Sequence, residues 1–308
     1  MITQKNISML AIVIPYYKLI FFEETLKSLS NQTNKNFRVY IGNDASQDDP
    51  TDLIKCFEEN FSITYKRFEQ NLGKKSLTMQ WDRCIEMVQE EKWLMILGDD
   101  DMLDSSVVSA FYKHLDVFKK KSKVVRFASK IITGETKNTS DIFEHPVWEK
   151  AEDAYFRKSR GLTRSSLSEY IYEKETYLKH GFYPYPLAWH SDDKAWLEFS
   201  ENTPIYTINE AVVLVRNSSI NISGRTDNEE LKNHAAIKFY KYIISNKLPN
   251  YNIKQRIFLM RAGENEILKS RKLKMQEWVF LIFHHSQNFE FNSFKKLIKR
   301  FIKSILNR

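Results

Sequence analysis

Cysteine is nearly absent from this chain: there are 2 in 308 residues, Cys56 and Cys84, in neither a Cys-x-x-Cys nor a Cys-His setting. That excludes a disulfide framework and a thiolate metal site, and points to a reducing cytoplasm with both thiols as inert core residues. Long apolar runs are missing as well. The longest, Met9 to Pro15, falls far short of the ~20 residues that cross a bilayer, and it lacks the basic start and cleavage site of a signal peptide. The sequence also holds no Gly-x-x-x-x-Gly-Lys phosphate loop, no Gly-x-Ser-x-Gly elbow and no His-Glu-x-x-His pair. Those absences set aside the common nucleotidase, serine hydrolase and zinc protease motifs. No internal repeat or low-complexity tract is visible either.

What remains is globular in composition, with 42 % hydrophobic and 14 % aromatic residues, and long enough for one large or two modest domains. The formal charge of +8 is concentrated near one end. Lys295, Lys296, Lys299, Arg300, Lys303 and Arg308 fall in a stretch with no acidic residue. The rest of the chain is nearly balanced, so no nucleic-acid-binding core is expected.

Apolar runs and helical spacing alternate along the first half. Met9–Ile14, Phe37–Ile41, Ile63–Phe68 and the run from Trp93 read as buried strands. Between them, residues 21–31, 51–61 and 76–89 have helical spacing, followed by a helix over 105–120 and a strand over 124–132. This alternation predicts a parallel sheet covered on both faces by helices, with ligands beyond the carboxyl ends of the strands. Residues 133–165 lose periodicity and read as a loop-rich insertion. Further on come a short strand over 167–172, a helix over 174–180, a rigid Tyr-Pro-Tyr-Pro turn at 183–186 and a helix over 191–200. Strands over 205–208 and 211–215 precede a stretch beyond Asn228 that looks entirely helical.

The polar residues cluster at the predicted strand ends. Residues 93–103 read Trp-Leu-Met-Ile-Leu-Gly-Asp-Asp-Asp-Met-Leu, an apolar run capped by three consecutive carboxylates. Adjacent buried carboxylates repel, and a hard cation relieves them; oxygen ligands without His or Cys point to Mn2+ or Mg2+. The alternative is a solvated acidic turn with Asp104 capping the next helix.

Taken in order, the Ile-Pro-Tyr-Tyr segment at 14–17, Gly-Asn-Asp at 42–44, Asn-Leu-Gly at 71–73, Gln80-Trp81 and the acidic run at 97–103 resemble family 2 glycosyltransferases of GT-A fold. Residues 186–196 (Pro-Leu-Ala-Trp-His-Ser-Asp-Asp-Lys-Ala-Trp) and 216–223 (Arg-Asn-Ser-Ser-Ile-Asn-Ile-Ser) extend the likeness to about residues 8–220. The resemblance implies a Rossmann-like, mostly parallel α/β catalytic domain over 1–226, followed by a basic helical region over 227–308. It implies metal-dependent, inverting transfer of a hexosyl or N-acetylhexosaminyl group from a nucleoside-diphosphate sugar, a UDP-sugar foremost. The acceptor it suggests is a saccharide or lipid-linked saccharide, as in cell-surface polysaccharide assembly.

By the same likeness, Asp99, Asp100 and Asp101 are the metal candidates, with Asp100 foremost and Asp99 shared with the ribose. One departure stands out: Gly98 occupies a place where the family commonly has an acid. Pro15, Tyr17, Asp44, Asn71, Gly73 and Arg216 are candidates for the nucleotide sugar. Asp44 would serve as a base-pairing acceptor, or else merely close an Asx-turn with Ala45-Ser46, and Arg216 would meet the diphosphate or form a structural ion pair. Asp192, with Asp193 in reserve, is the expected general base at a helix start, where anions are favoured. Trp196 is read as core and His190 as packing. A sugar nucleotidyltransferase is the competing enzyme reading, but Tyr16-Tyr17-Lys18 supplies no Gly-rich basic loop. A degenerate, non-catalytic membrane-associated subunit is the other, supported by Gly98 alone.

Residues 291–308 place Phe294, Leu297, Ile298, Phe301, Ile302 and Ile305 at helical spacing, opposite lysines and arginines. Such a helix either lies on an anionic membrane, at the inner face of the cell membrane if the protein is cytoplasmic, or docks on the protein with its charges outward.

Overall fold

The structure is a computed structural model, and it describes residues 9–134 and 138–306. These fall into two compact units: residues up to Pro184 with Ser191–Arg225, and Tyr185–His190 with the residues from Thr226 on.

In the first unit the opening strand β1 (Leu10–Tyr16) is buried on both faces, as its unbroken apolar run demands. Helix α1 (Phe22–Ser30) follows, burying Phe22, Thr25, Leu26 and Leu29 at helical spacing. Next come β2 (Phe37–Asn43), α2 (Thr51–Lys55), β3 (Ser62–Arg67), α3 (Leu77–Ile85) and β4 (Trp93–Ile96). β1 runs parallel to both β2 and β4, and β2 is parallel to β3. The charged strand β3, with Lys66 and Arg67, guards the edge of the sheet. After the acidic turn come β5 (Met102–Leu103) and α4 (Val107–Phe118). The Trp93 ring meets Phe111 and Phe118 of α4 at 5.9 and 5.2 Å, which anchors the strand that carries the carboxylates.

The second half of the sheet departs from the parallel pattern. Strand β6 (Val124–Thr133) is followed by β7 (Asn138–Thr139), β8 (Trp148–Glu149), helix α5 (Ala151–Ser159), a 3-10 turn at Leu167–Glu169 and β9 (Tyr170–Glu173). β9 inserts antiparallel between β4 and β6, giving the order β3-β2-β1-β4-β9-β6-β10-β5. Helices α6 (Lys174–His180) and α7 (Ser191–Phe199) lead into β10 (Ile205–Asn217), parallel to β6. The two strands expected over 205–215 are this one long strand, with a register shift between Ile208 and Val212.

Two expectations are corrected here. The segment 133–165 contains α5, and Cys56, the residue directly after α2, is exposed rather than a core residue. Cys84 is buried, and burial pushes its thiol up to about 12.

The second unit is helical among its described residues beyond Asn228, as expected. It holds α8 (Glu229–Tyr242), a π-turn and a 3-10 turn, then α9 (Ile253–Ser270), α10 (Met275–Gln287) and α11 (Phe291–Leu306). His190 stacks on Phe239 with ring centres 4.6 Å apart, the packing role expected of it. Among the described residues no helix is long and apolar enough to cross a membrane.

Candidate functional site

Three groups of side chains form at the strand ends of the first unit. The first is built on the acidic turn after β4, whose carboxylates do not converge on one point. Asp99 turns back toward the end of β1, where the backbone N–H groups of Tyr17 and Lys18 donate to its Oδ2 at 2.7 and 2.8 Å. Asp101 is buried, accepting from the Arg216 backbone N–H at 2.8 Å and from the Ser168 hydroxyl. Asp100 lies between them, half-buried, with Asn221 Nδ2 3.4 Å from its Oδ2. The Lys18 ammonium donates to the backbone carbonyl of Ile220, in the same tail as Asn221.

Electrostatics follow from this crowding. Burial first, then the Asp100 charge, push Asp99 up to about 6 against the two amides that favour its ionised form. The same two causes push Asp101 up to about 7. Burial also raises Asp100, while Asn221 and Arg216 pull it back. Burial and mutual repulsion thus make it costly to ionise all three carboxyls of the turn at once.

Gly98 has a steric reason. A Cβ at this position would stand 2.8 Å from Asp101 Oδ2 and 3.1 Å from Asp100 Oδ1. The space of the acid common in the family is taken up by the next two carboxylates, so the departure reflects packing in the turn.

Arg216 forms structural ties, the second of the two roles expected of it. Its side chain is buried and donates from Nε to the Asp100 carbonyl (3.1 Å), and from its two NH2 groups to the Gly134 carbonyl (2.9 Å) and Glu24 (2.8 Å). The guanidinium also sits 3.9 Å from the centre of the Phe21 ring.

The second group gathers after β2 and β3. The backbone N–H groups of Leu72 and Gly73 donate to Asp44 at 2.7 and 2.8 Å, and Arg83 pairs with the same carboxylate. Burial raises the Asp44 carboxyl against the pull of those donors. A Cβ on Gly73 would come within 2.5 Å of Asp44 Oδ2, so glycine is what permits the clamp. The Asx-turn at this point is closed by Asn43, whose Oδ1 accepts from the Ser46 N–H, and not by Asp44. Asn71 in turn accepts from the Lys74 N–H at 2.8 Å, a turn-closing bond. Arg83 had no sequence signal beyond its place on the α3 face; it stacks 3.9 Å from the Phe68 ring centre while holding Asp44. Beside this group Tyr17 leaves its ring exposed, and Pro15 lies within β1.

The third group is the first turn of α7. Asp192 is half-buried, whereas Asp193 is buried and paired with Lys158 of α5 at 2.7 Å. Burial alone would lower the Lys158 ammonium, but the charges of Asp193 and then Asp192 outweigh it and raise it. Asp193, expected as the reserve base, is the carboxylate through which Lys158 holds the turn. Trp196 stacks on Tyr170 with centres 4.2 Å apart and is core, as expected. Asn221, Lys18, Arg83 and Lys158 are the members of these groups that sequence reasoning missed. Asn221 alone lay within a quoted motif.

A mostly parallel sheet with its polar clusters at the carboxyl ends of β1, β2 and β4 defines a GT-A nucleotide-sugar transferase fold. Residues 11–173 match the sequence pattern of Glycosyl transferase family 2, and the chain belongs to that family. It is similar in structure to S. aureus TarS 1-349, with a TM-score of 0.62 at 12 % identity, covering 96 % of this chain and 91 % of that one. A second structure of that protein, in complex with UDP-GlcNAc, gives a TM-score of 0.63 at 13 % identity over 91 % of this chain and 80 % of that one. No curated protein matches the sequence.

Proposed function

We propose that this glycosyltransferase moves a sugar, with inversion, from a UDP-sugar to a saccharide or lipid-linked saccharide acceptor in cell-surface polysaccharide assembly. The observation that carries the reading is the turn after β4: a carboxylate, Asp100, flanked by Asn221 and facing the Lys18 charge, beside the exposed Tyr17 ring. The similar fold of TarS in complex with UDP-GlcNAc supports the choice of donor.

A divalent cation fits this turn in one respect and not in another. The donors are hard oxygens, and the cost of ionising these crowded, buried carboxyls is one that Mn2+ or Mg2+ would relieve. Yet no three His, Cys, Asp or Glu side chains among the described residues form a metal cage. Asp100 would hold the ion, with substrate phosphate oxygens completing its shell, while Asp99 and Asp101 fix the turn to its neighbours. When bound, the ion supplies charge neutralisation for the departing diphosphate.

In the transfer itself, the acceptor oxygen forms a bond to the anomeric carbon as the bond to the diphosphate oxygen breaks on the opposite face. Asp192 takes the acceptor hydroxyl proton, and the electron pair leaves with the diphosphate. Lys158 holds the adjacent Asp193 and fixes the turn on which Asp192 stands. The competing non-catalytic reading rested on Gly98, which the packing of the turn now accounts for.

The test is release of UDP from a panel of UDP-sugars by purified protein with Mn2+ or Mg2+. Asp100→Ala and Asp192→Ala are each expected to lower the rate at least ~100-fold while retaining the wild-type unfolding temperature. Wild-type protein that neither binds nor cleaves any nucleotide sugar would remove the proposal.

A further inference from the structure

Helix α11 uses only part of its apolar surface to dock. Within the second unit Leu297 is fully buried, and the Phe301 ring lies 5.5 Å from Trp278 of α10. Arg300 donates two bonds, at 2.8 and 2.7 Å, to the buried Glu264 of α9. These three residues fix the helix. The adjoining stripe is left in solvent: Phe291 is 63 % exposed, Ile302 49 %, Ile305 46 % and Leu306 78 %. At about 100° per residue those four fall within an arc of roughly 100°. Lys299, Lys303 and Lys296 occupy the arc immediately beside it, Lys295 lies at its edge over the Phe291 ring, and none of the four forms an ion pair among the described residues. Helix α10 adds exposed Met275, Val279 and Phe283 at i, i+4 and i+8, and Phe289 is exposed between the two helices.

An apolar stripe bordered by a row of unpaired lysines selects its partner by charge. A second copy of this chain on a twofold axis would bring the lysine rows together, and like charges would oppose the contact. Nucleic acid would match the lysines but leave the phenylalanine and isoleucines unmatched. A bilayer surface rich in anionic headgroups satisfies both halves: apolar side chains enter the headgroup–acyl boundary while the ammonium groups meet phosphate. We propose that α11, held to its unit by Leu297, Arg300 and Phe301, lays its Phe291–Ile302–Ile305 stripe and lysine row on an anionic membrane surface. Docking and membrane contact are then two sides of one helix, not alternatives.

The experiment is co-flotation of the full chain with phosphatidylcholine vesicles, with and without about 30 % phosphatidylglycerol. The expected result is binding to the anionic vesicles only, weakening as salt is raised. An Ile302→Ser/Ile305→Ser double variant is expected to lose about ten-fold or more in partitioning at an unchanged unfolding temperature, since both residues are exposed. Lys299→Glu/Lys303→Glu is expected to abolish the preference for anionic vesicles. Leu297→Ala serves as the contrast and should lower the unfolding temperature. Failure of the wild type to float with anionic vesicles, or undiminished flotation of the double variant, overturns the proposal. So does a dimer by light scattering that the same double variant dissociates.

Discussion

Gly98 shows how a single residue that departs from a family pattern can have a local steric reason. An added Cβ there would meet two carboxylates at 2.8 and 3.1 Å, so both would have to shift, and an acid would be a fourth carboxyl in the turn. Gly98→Asp is therefore expected to destabilise the protein by about 2 kcal/mol or more through crowding and repulsion, and Gly98→Ala by about 1. Differential scanning calorimetry checks both, and a Gly98→Asp protein as stable as wild type would contradict the packing account. At this scale the sequence showed which residues matter but not to whom they are bonded. Asp99 is satisfied by amides 82 and 81 positions away, and Arg216 by partners on three other segments. Such partners are fixed by topology, and no local spacing reveals them. The distinction between Asp192 and Asp193 had the same origin, because it depends on a lysine from α5.

That helix, α5, marks the limit of legibility among the elements. Its buried face is narrow, formed by Ala151, Ala154 and Tyr155, and Glu152, Asp153, Arg157 and Lys158 interrupt it, so no helical stripe stood out. β1, β2 and β4 were legible because strands buried on both faces must be apolar throughout. The direction of β9 was not, since an apolar run reads the same whether its neighbours are parallel or antiparallel. α5 matters through Lys158, which is the counter-charge of the buried Asp193. Lys158→Met removes one partner of a largely buried pair and is expected to cost about 3 kcal/mol, with Lys158→Met/Asp193→Leu recovering part of it. Unfolding in urea across the single and double variants measures that coupling, and additive effects would show that the pair does not hold α7.

For the whole molecule, each unit carries a buried histidine that burial keeps neutral: His145, lowered to about 3, and His285, lowered to about 4. The unfolded chain takes up a proton on each below about pH 6.5 while the native state refuses it, so stability falls as pH drops from there toward 4. Each histidine contributes a loss of about 1.4 kcal/mol at pH 5.5. The raised carboxyls Asp99 and Asp101 act in the opposite sense, gaining protons in the native state first, so the measurement is a difference between proteins. His145→Gln should show a shallower loss of unfolding temperature between pH 6.5 and 5 than wild type; parallel curves would mean the imidazole is not the source. The α/β class and the helical end were legible at this scale from periodicity. Which side of α11 stays free was not, because an amphipathic pattern does not say how wide a docking partner will be.

The acidic turn after β4 has one more implication. Through Asp99, Asp101 and Asp100 it is tied to the end of β1, to the 3-10 turn at Leu167–Glu169 and to the tail of β10. Its conformational freedom is given up when the chain folds, so the diphosphate that the proposed function brings there would meet a loop already ordered and lose little of its binding energy to arranging it.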